Sequence, residues 1–199
     1  MAALAQWEDL ITGPQLEGHI ADILSILFEP TNILITHVGP AIATQLSDPA
    51  FTQHPKSYQD LIDLSASHIE KLHPRDRSEF IRGHPRIGEV SNLSALSAAE
   101  QASKKTPPEV LKQLERLNVI YEWSYPRLRY VTFVNGRSRA EIVPEMKKLL
   151  GITGDLDDVT QESTVVWNEG SKEWLTELNR SVHATILIAK ARLDALGVI

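Results

Sequence analysis

Gly83-His84-Pro85-Arg86-Ile87-Gly88-Glu89 and Ser97-Ala98-Ala99-Glu100-Gln101 place an imidazole, a carboxylate, a hydroxyl and a carboxamide close together in a chain with no cysteine and no glycine-rich phosphate loop. Proton transfer is the chemistry such a set supports. Pro85 disfavours helical angles at His84, and Gly88 permits a tight turn just beyond, so the imidazole is expected at a loop or element boundary. Imidazole exchanges a proton near neutral pH, which suits a general acid or base; a surface histidine at a helix end is the competing reading. Ser97-x-x-Glu100 has the form of a capping box, in which the serine closes a helix N-terminus and the glutamate reaches back to it. That reading leaves Gln101 unexplained. Ser97, Glu100 and Gln101 at i, i+3 and i+4 converge on one side of a first helical turn, where N–H groups also favour anions.

The elements that must position these groups follow from apolar spacing. With 199 residues, 42% of them hydrophobic, one domain spanning residues 1–199 is expected, with a sizeable core. Leu16, Ile20, Ile23, Leu24 and Leu27 predict a helix from Pro14 to Phe28, ended at Phe28-Glu29-Pro30. A short helix is expected over Pro40 to Leu46 and a loop over Pro49 to Pro55. Ser57-x-x-Asp60 opens a helix carrying Leu61, Leu64, His68, Ile69 and Leu72, with His68 read as a packed or half-exposed side chain. Pro74 to Ile81 is one short helix that delivers the chain to His84. Thr106-Pro107-Pro108-Glu109 reads as N-cap, first-turn proline and N3 glutamate for a helix with Val110, Leu111, Leu114, Leu117 and Tyr121 on one face. Asn118 lies beside that stripe, placed to bond a neighbouring loop.

Leu128 to Val134 is the one β-like run, rich in Tyr, Val, Thr and Phe. No second strand of comparable quality pairs with it, so it is expected as a lone extended segment whose backbone groups are open to a flat, polar, amide-rich ligand. Ser138-x-x-Glu141 opens the next helix, in which Pro144 makes a kink or a shifted start. Gly151 to Gly170 is acidic and lacks EF-hand spacing, which makes it a solvated surface rather than a calcium loop. The last helix, Ser171 to Leu196, carries Leu175, Leu178, Val182, Ile186, Ala189, Leu193 and Leu196. Arg192 falls at the edge of that stripe, as a snorkelling surface residue or as a pocket-rim group for a carboxylate. The fold class is therefore all-α, a bundle of about seven to nine helices with one short extended segment near 128–134.

A net charge of −6 argues against a nucleic-acid or anionic-membrane partner. Zero cysteines remove disulfides and thiolate metal sites and fit a reducing compartment. No apolar run reaches membrane-spanning length, and Met1 to Gln15 lacks the pattern of a signal peptide. A cytoplasmic location is expected; a peroxisomal one is the alternative, although Gly197-Val198-Ile199 is not a Ser-Lys-Leu address.

His-Pro-Arg-Ile-Gly-Glu at 84–89, Ser-x-x-Glu-Gln at 97–101, Leu117-Asn118-x-x-Tyr121, and Tyr130-Val131-Thr132-Phe133-Val134-Asn135-Gly136-Arg137-Ser138 with Glu141-Ile142 together resemble the decarboxylases of 2-oxo-4-hydroxy-4-carboxy-5-ureidoimidazoline (OHCU), enzymes of urate degradation that form (S)-allantoin. The resemblance runs from about Phe80 to Leu150 and more faintly to Arg192-Leu193. It implies His84 as catalytic acid/base, Glu100 as its acidic partner, and Pro85, Ser97 and Gln101 as substrate contacts. It further implies backbone hydrogen bonds from Tyr130, Val131, Thr132, Phe133 and Val134, a substrate arginine at Arg192, no cofactor or metal, a small ureidoimidazoline substrate and a homodimer. The family's aromatic-glycine-aromatic run is here Tyr125-Pro126-Arg127-Leu128-Arg129, and the arginine often found at the end of the extended stretch is Asn135. Two rivals stand beside this reading. One is a catalytically lapsed relative acting as a helical ligand-binding or interaction module. The other is a His/Asp/Glu metalloenzyme, for which no pair of histidines shows helical ligand spacing.

Overall fold

A computed structural model of the protein describes Trp7 and residues 15–91, 93–102 and 106–197, with the side chains at 100–102 outside the description. The described residues form eight α-helices and one π-helical segment, with no β-strand. The chain divides into two compact units, one built from residues up to Gly83 together with those from Thr185 onward, the other from His84–Ala184. Among the described residues, no helix is long and apolar enough to cross a membrane.

The first unit holds α1 (Leu16–Phe28), a π-helical segment (Leu34–Val38), α2 (Gly39–Ser47), α3 (Tyr58–Lys71) and α4 (Pro74–Arg82). The predicted stripe of α1 is its buried face: Ile20, Ile23, Leu24 and Leu27 are joined there by Phe28. Phe28 meets Phe80 of α4 with ring centroids 5.7 Å apart, which ties the start of this unit to the helix that precedes His84. Ser57 caps α3 by accepting the Asp60 N–H at 3.1 Å, as its spacing predicts. His68 is half-buried and bonds Gln45 at 2.7 Å, which accounts for it as a packed residue. Gly83 ends α4 in helical conformation. A Cβ there would overlap the methyl of Thr31, so the residue before His84 is held to glycine by close approach.

The π-helical segment was not visible in the sequence. Leu34 and Val38 are buried at its two ends, and it runs directly into α2, so the predicted Pro40 start begins in effect several residues earlier. One wider turn re-registers the apolar side chains without a break in the backbone.

The second unit contains α5 (Ala95–Ala102), α6 (Pro108–Ser124), the stretch 128–134, α7 (Arg139–Leu149), the acidic connection, and α8 (Lys172–Leu196) as far as Ala184. From Thr185 onward α8 belongs to the first unit. α6 starts one residue later than its Thr106 cap predicted: Pro107 is the N-cap and Pro108 the first helical residue, and the Thr106 hydroxyl instead accepts from Arg139 at 2.8 Å. Ser138 and Glu141 pair at the start of α7 as expected, and the helix runs through Pro144 with no shift of its start. Leu156 of the acidic stretch is buried, its carbonyl accepts from Arg116 of α6 at 3.3 Å, and the Trp167 N–H donates to the Ser124 carbonyl at 2.8 Å, so this surface segment is anchored to α6.

Candidate active site

His84 opens the second unit and is 3% exposed, which removes the reading as a surface histidine. The loop that carries it is braced at successive peptide groups. Arg129 donates from Nη1 to the His84 carbonyl at 2.8 Å, and the Arg86 N–H donates to Glu89 at 2.9 Å. Ile87 gives its carbonyl to Asn118 Nδ2 at 2.9 Å, the loop bond expected of Asn118 beside its stripe. Gly88 has φ +86°, and a Cβ there would press on Leu114 at 3.2 Å, so the turn requires glycine for angle and for space. The Arg86 guanidinium grips Glu122 through two bonds, of 2.8 and 2.6 Å, and the bond to that carboxylate raises the Arg86 pKa. Pro85 is half-buried between these fixed points. The Oδ1 of Asn118 is buried and has no donor among the described residues. Replacing Asn118 with alanine is expected to cost about 2 kcal/mol of stability, because it strands a loop carbonyl; a urea titration reads this directly.

Ser97 is nearly fully buried, but it is not a cap. α5 begins at Ala95, and the Ser97 N–H donates to Ser94 Oγ at 3.2 Å, while the Ser94 carbonyl accepts the Ala98 N–H at 2.8 Å. Ser94 is therefore the N-cap and Ser97 stands at N3. The capping-box reading is corrected by one turn. Ser94→Ala should cost about 1 kcal/mol by thermal melt, with Ser97→Ala free of any capping loss. Glu100 and Gln101 stand on the same helix, and their side chains lie outside the described residues.

Residues 128–134 are non-helical, and no strand pairs with them among the described residues. Tyr130 and Val131 are buried, and Thr132, Phe133 and Val134 are half-buried. Tyr130 Oη and Thr132 Oγ1 both reach Glu145 Oε1, at 2.9 and 3.4 Å, so side chains two apart share a side as in an extended chain. Part of the backbone expected to be open is taken. Arg180 donates to the Val131 carbonyl at 2.9 Å, and Arg137 donates to the carbonyls of Phe133 at 2.6 Å and Val134 at 3.0 Å. Among the described residues, no acceptor meets the N–H groups of Tyr130 through Val134, and no donor meets the carbonyls of Tyr130 and Thr132. Arginines thus hold the carbonyls of Val131, Phe133 and Val134, while the N–H groups of the segment and the carbonyls of Tyr130 and Thr132 lack protein partners among the described residues.

Those arginines belong to a network that sequence reasoning missed. Glu177, on the buried side of α8, accepts from Tyr121 Oη at 2.7 Å and from Arg180 at 2.8 and 2.6 Å. The Arg180 guanidinium lies 5.0 Å over the Tyr130 ring, and Tyr121 meets Tyr130 edge-on at 5.4 Å. On the far side Arg137 pairs with Glu145. Burial pushes both tyrosines up, helped by Glu177 at Tyr121 and Glu145 at Tyr130, so both remain neutral donors. Burial opposes the charge on Arg180, yet its bonds to Glu177 carry its pKa upward. The one available signal was Glu177 and Arg180 three apart at a register facing inward, a pairing usually dismissed as a surface ion pair.

Arg192 lies in the first unit and is 2% exposed, not at a solvent edge. Its guanidinium donates to the Leu27 carbonyl at 3.1 Å and to Glu29 at 2.7 Å, with Glu29 held at φ +71° where α1 ends. The carboxylate it holds in this structure is the protein's own. Among the described residues, no group of three or more His, Cys, Asp or Glu side chains is placed to hold a metal ion.

A family model described as OHCU decarboxylase matches residues 19–194, nearly the whole chain. The chain belongs to the OHCU decarboxylase family. The match runs through both units and includes His84, the α5 segment, the 128–134 stretch and Arg192. No curated protein and no solved structure matches the chain significantly. The OHCU decarboxylase family acts in purine degradation, and membership implies a carboxy-lyase. The run Tyr125 to Arg129 carries two arginines, and the structure shows what they do. Arg127 adopts φ +67°, the left-handed angle that a glycine takes without strain, and Arg129 bonds the His84 carbonyl.

Proposed function

We propose that this protein converts OHCU to (S)-allantoin and CO2 without a cofactor, using His84 as the proton-handling group. The observation that carries the reading is a buried histidine on a loop fixed at consecutive peptides and bonded, through Arg129, to a segment with open backbone donors and acceptors. The substrate carries its own electron sink. Its carboxylate is attached to a carbon next to a C=N bond, so the pair released with CO2 forms a C=C bond as the imine electrons move onto nitrogen, which takes a proton. The hydroxyl then gives up its proton as the carbonyl forms, and the former imine carbon is protonated on one face. The protein must supply orientation, support for developing charge and that facial proton.

His84 would relay the proton between hydroxyl and carbon, and Glu100 would orient its ring or the substrate. The open N–H and C=O groups of Tyr130 and Thr132 would pair with the ureido and ring amides, whose donors and acceptors alternate along one edge. Ser97, Pro85 and Gln101 would complete the contacts. The test is circular dichroism of freshly generated OHCU with and without the protein, following optical activity and CO2 release together. Rapid formation of the (S) product supports the assignment. A racemic product at the spontaneous rate, from folded protein, rejects it; ureide binding without turnover would then identify a lapsed binding module.

A further inference from the structure

We propose that Arg129 is a positioning residue for His84. The inference rests on His84 being the proton-handling group. Its structural premise stands apart from that: Arg129 Nη1 donates to the carbonyl of His84 itself, the peptide group joining His84 to Pro85, at 2.8 Å. Pro85 has no N–H with which to anchor the loop, so the His84 carbonyl is the natural handle beside the imidazole. A guanidinium is permanently charged, and a bond from it to a carbonyl is stronger than a neutral one.

The position in the chain gives the bond its effect. Arg129 directly precedes Tyr130, whose hydroxyl is held by Glu145 and whose ring lies beneath Arg180. Arg129 therefore references the histidine to the same rigid piece of backbone that would seat a ligand. The other braces, Asn118 on Ile87 and Glu89 on Arg86, fix the loop further along, whereas the Arg129 bond acts at the His84 carbonyl itself. A displacement of a reacting group by about 1 Å can cost on the order of a hundredfold in rate.

The experiment compares wild type with Arg129→Met and Arg129→Lys, all shown to be folded by far-ultraviolet circular dichroism. Two readouts are used: kcat and KM on OHCU, and the imidazole resonances of His84 in protein labelled with 15N-histidine, assigned by their loss in His84→Gln. In Arg129→Met, kcat should fall at least tenfold with KM within twofold of wild type, and the His84 resonances should shift or broaden. Arg129→Lys, which keeps a charged donor, should recover at least a third of kcat. Unchanged His84 resonances in Arg129→Met, or an unchanged kcat, overturn the proposal. If the wild type proves inactive, the functional reading fails and the resonances alone decide the positioning role. If Arg129→Met does not fold, Arg129→Gln takes its place and should lie tenfold below Arg129→Lys in kcat; equal values overturn the proposal.

Discussion

Replacing His84 with alanine is expected to slow OHCU decarboxylation about a thousandfold, within the range a positioned acid or base contributes, and to leave the fold intact. The side chain is buried, so some loss of packing accompanies the change, but stability should fall by no more than about 2 kcal/mol. His84→Asn separates proton transfer from packing: it fills part of the space and offers a hydrogen bond, but neither takes up nor releases a proton near neutral pH. Both variants should be equally inactive. A His84→Ala protein that still forms (S)-allantoin at the wild-type rate would remove the imidazole from the mechanism.

The second large effect is on stability. Arg192→Met should destabilise the protein by about 3–5 kcal/mol, the usual cost of stranding one charge of a buried pair. Glu29 has 5% side-chain exposure, and the Leu27 carbonyl loses its donor in the same step. For a chain of this length that corresponds to a drop in Tm of roughly 10 °C. Glu29→Gln combined with Arg192→Met should recover part of the loss, because no uncompensated carboxylate remains. An Arg192→Met protein with wild-type Tm and a raised KM would show that the guanidinium serves substrate and not Glu29. Heat and urea melts alongside kinetics on one set of variants distinguish the two.

Much of the fold was legible because burial follows helical spacing. Ile20, Ile23, Leu24 and Leu27 face inward as their periodicity requires, and Ser57 caps where its spacing to Asp60 puts it. The lone extended stretch was legible from composition and from the want of a partner strand. Other features failed for identifiable reasons. At 94–100 the sequence offers two serines three apart, and Ser97-x-x-Glu100 matched the capping pattern better than Ser94, the actual cap. On α8 the stripe Leu178, Val182, Ile186, Ala189 and Leu193 is buried as expected, Leu175 and Leu196 at its ends are half-buried, and Trp174, Glu177, Ser181 and Arg192 are buried beside it without having been expected there. Polar groups that are internally satisfied pack like apolar ones, and spacing rules that count only apolar residues pass over them. His84 was found because proline and glycine flank it; its brace from Arg129, 45 positions along the chain, leaves no local trace.

The stretch at 128–134 also bears on how the molecule behaves at high concentration. An extended segment with no neighbouring strand is a template for pairing with another chain, and the Tyr-Val-Thr-Phe-Val run has the β-propensity that favours such pairing. Arg180 and Arg137 oppose it in two ways: they occupy the carbonyls of Val131, Phe133 and Val134, and they place positive charge against the run. The two side chains thus act as gatekeepers against self-association at those carbonyls.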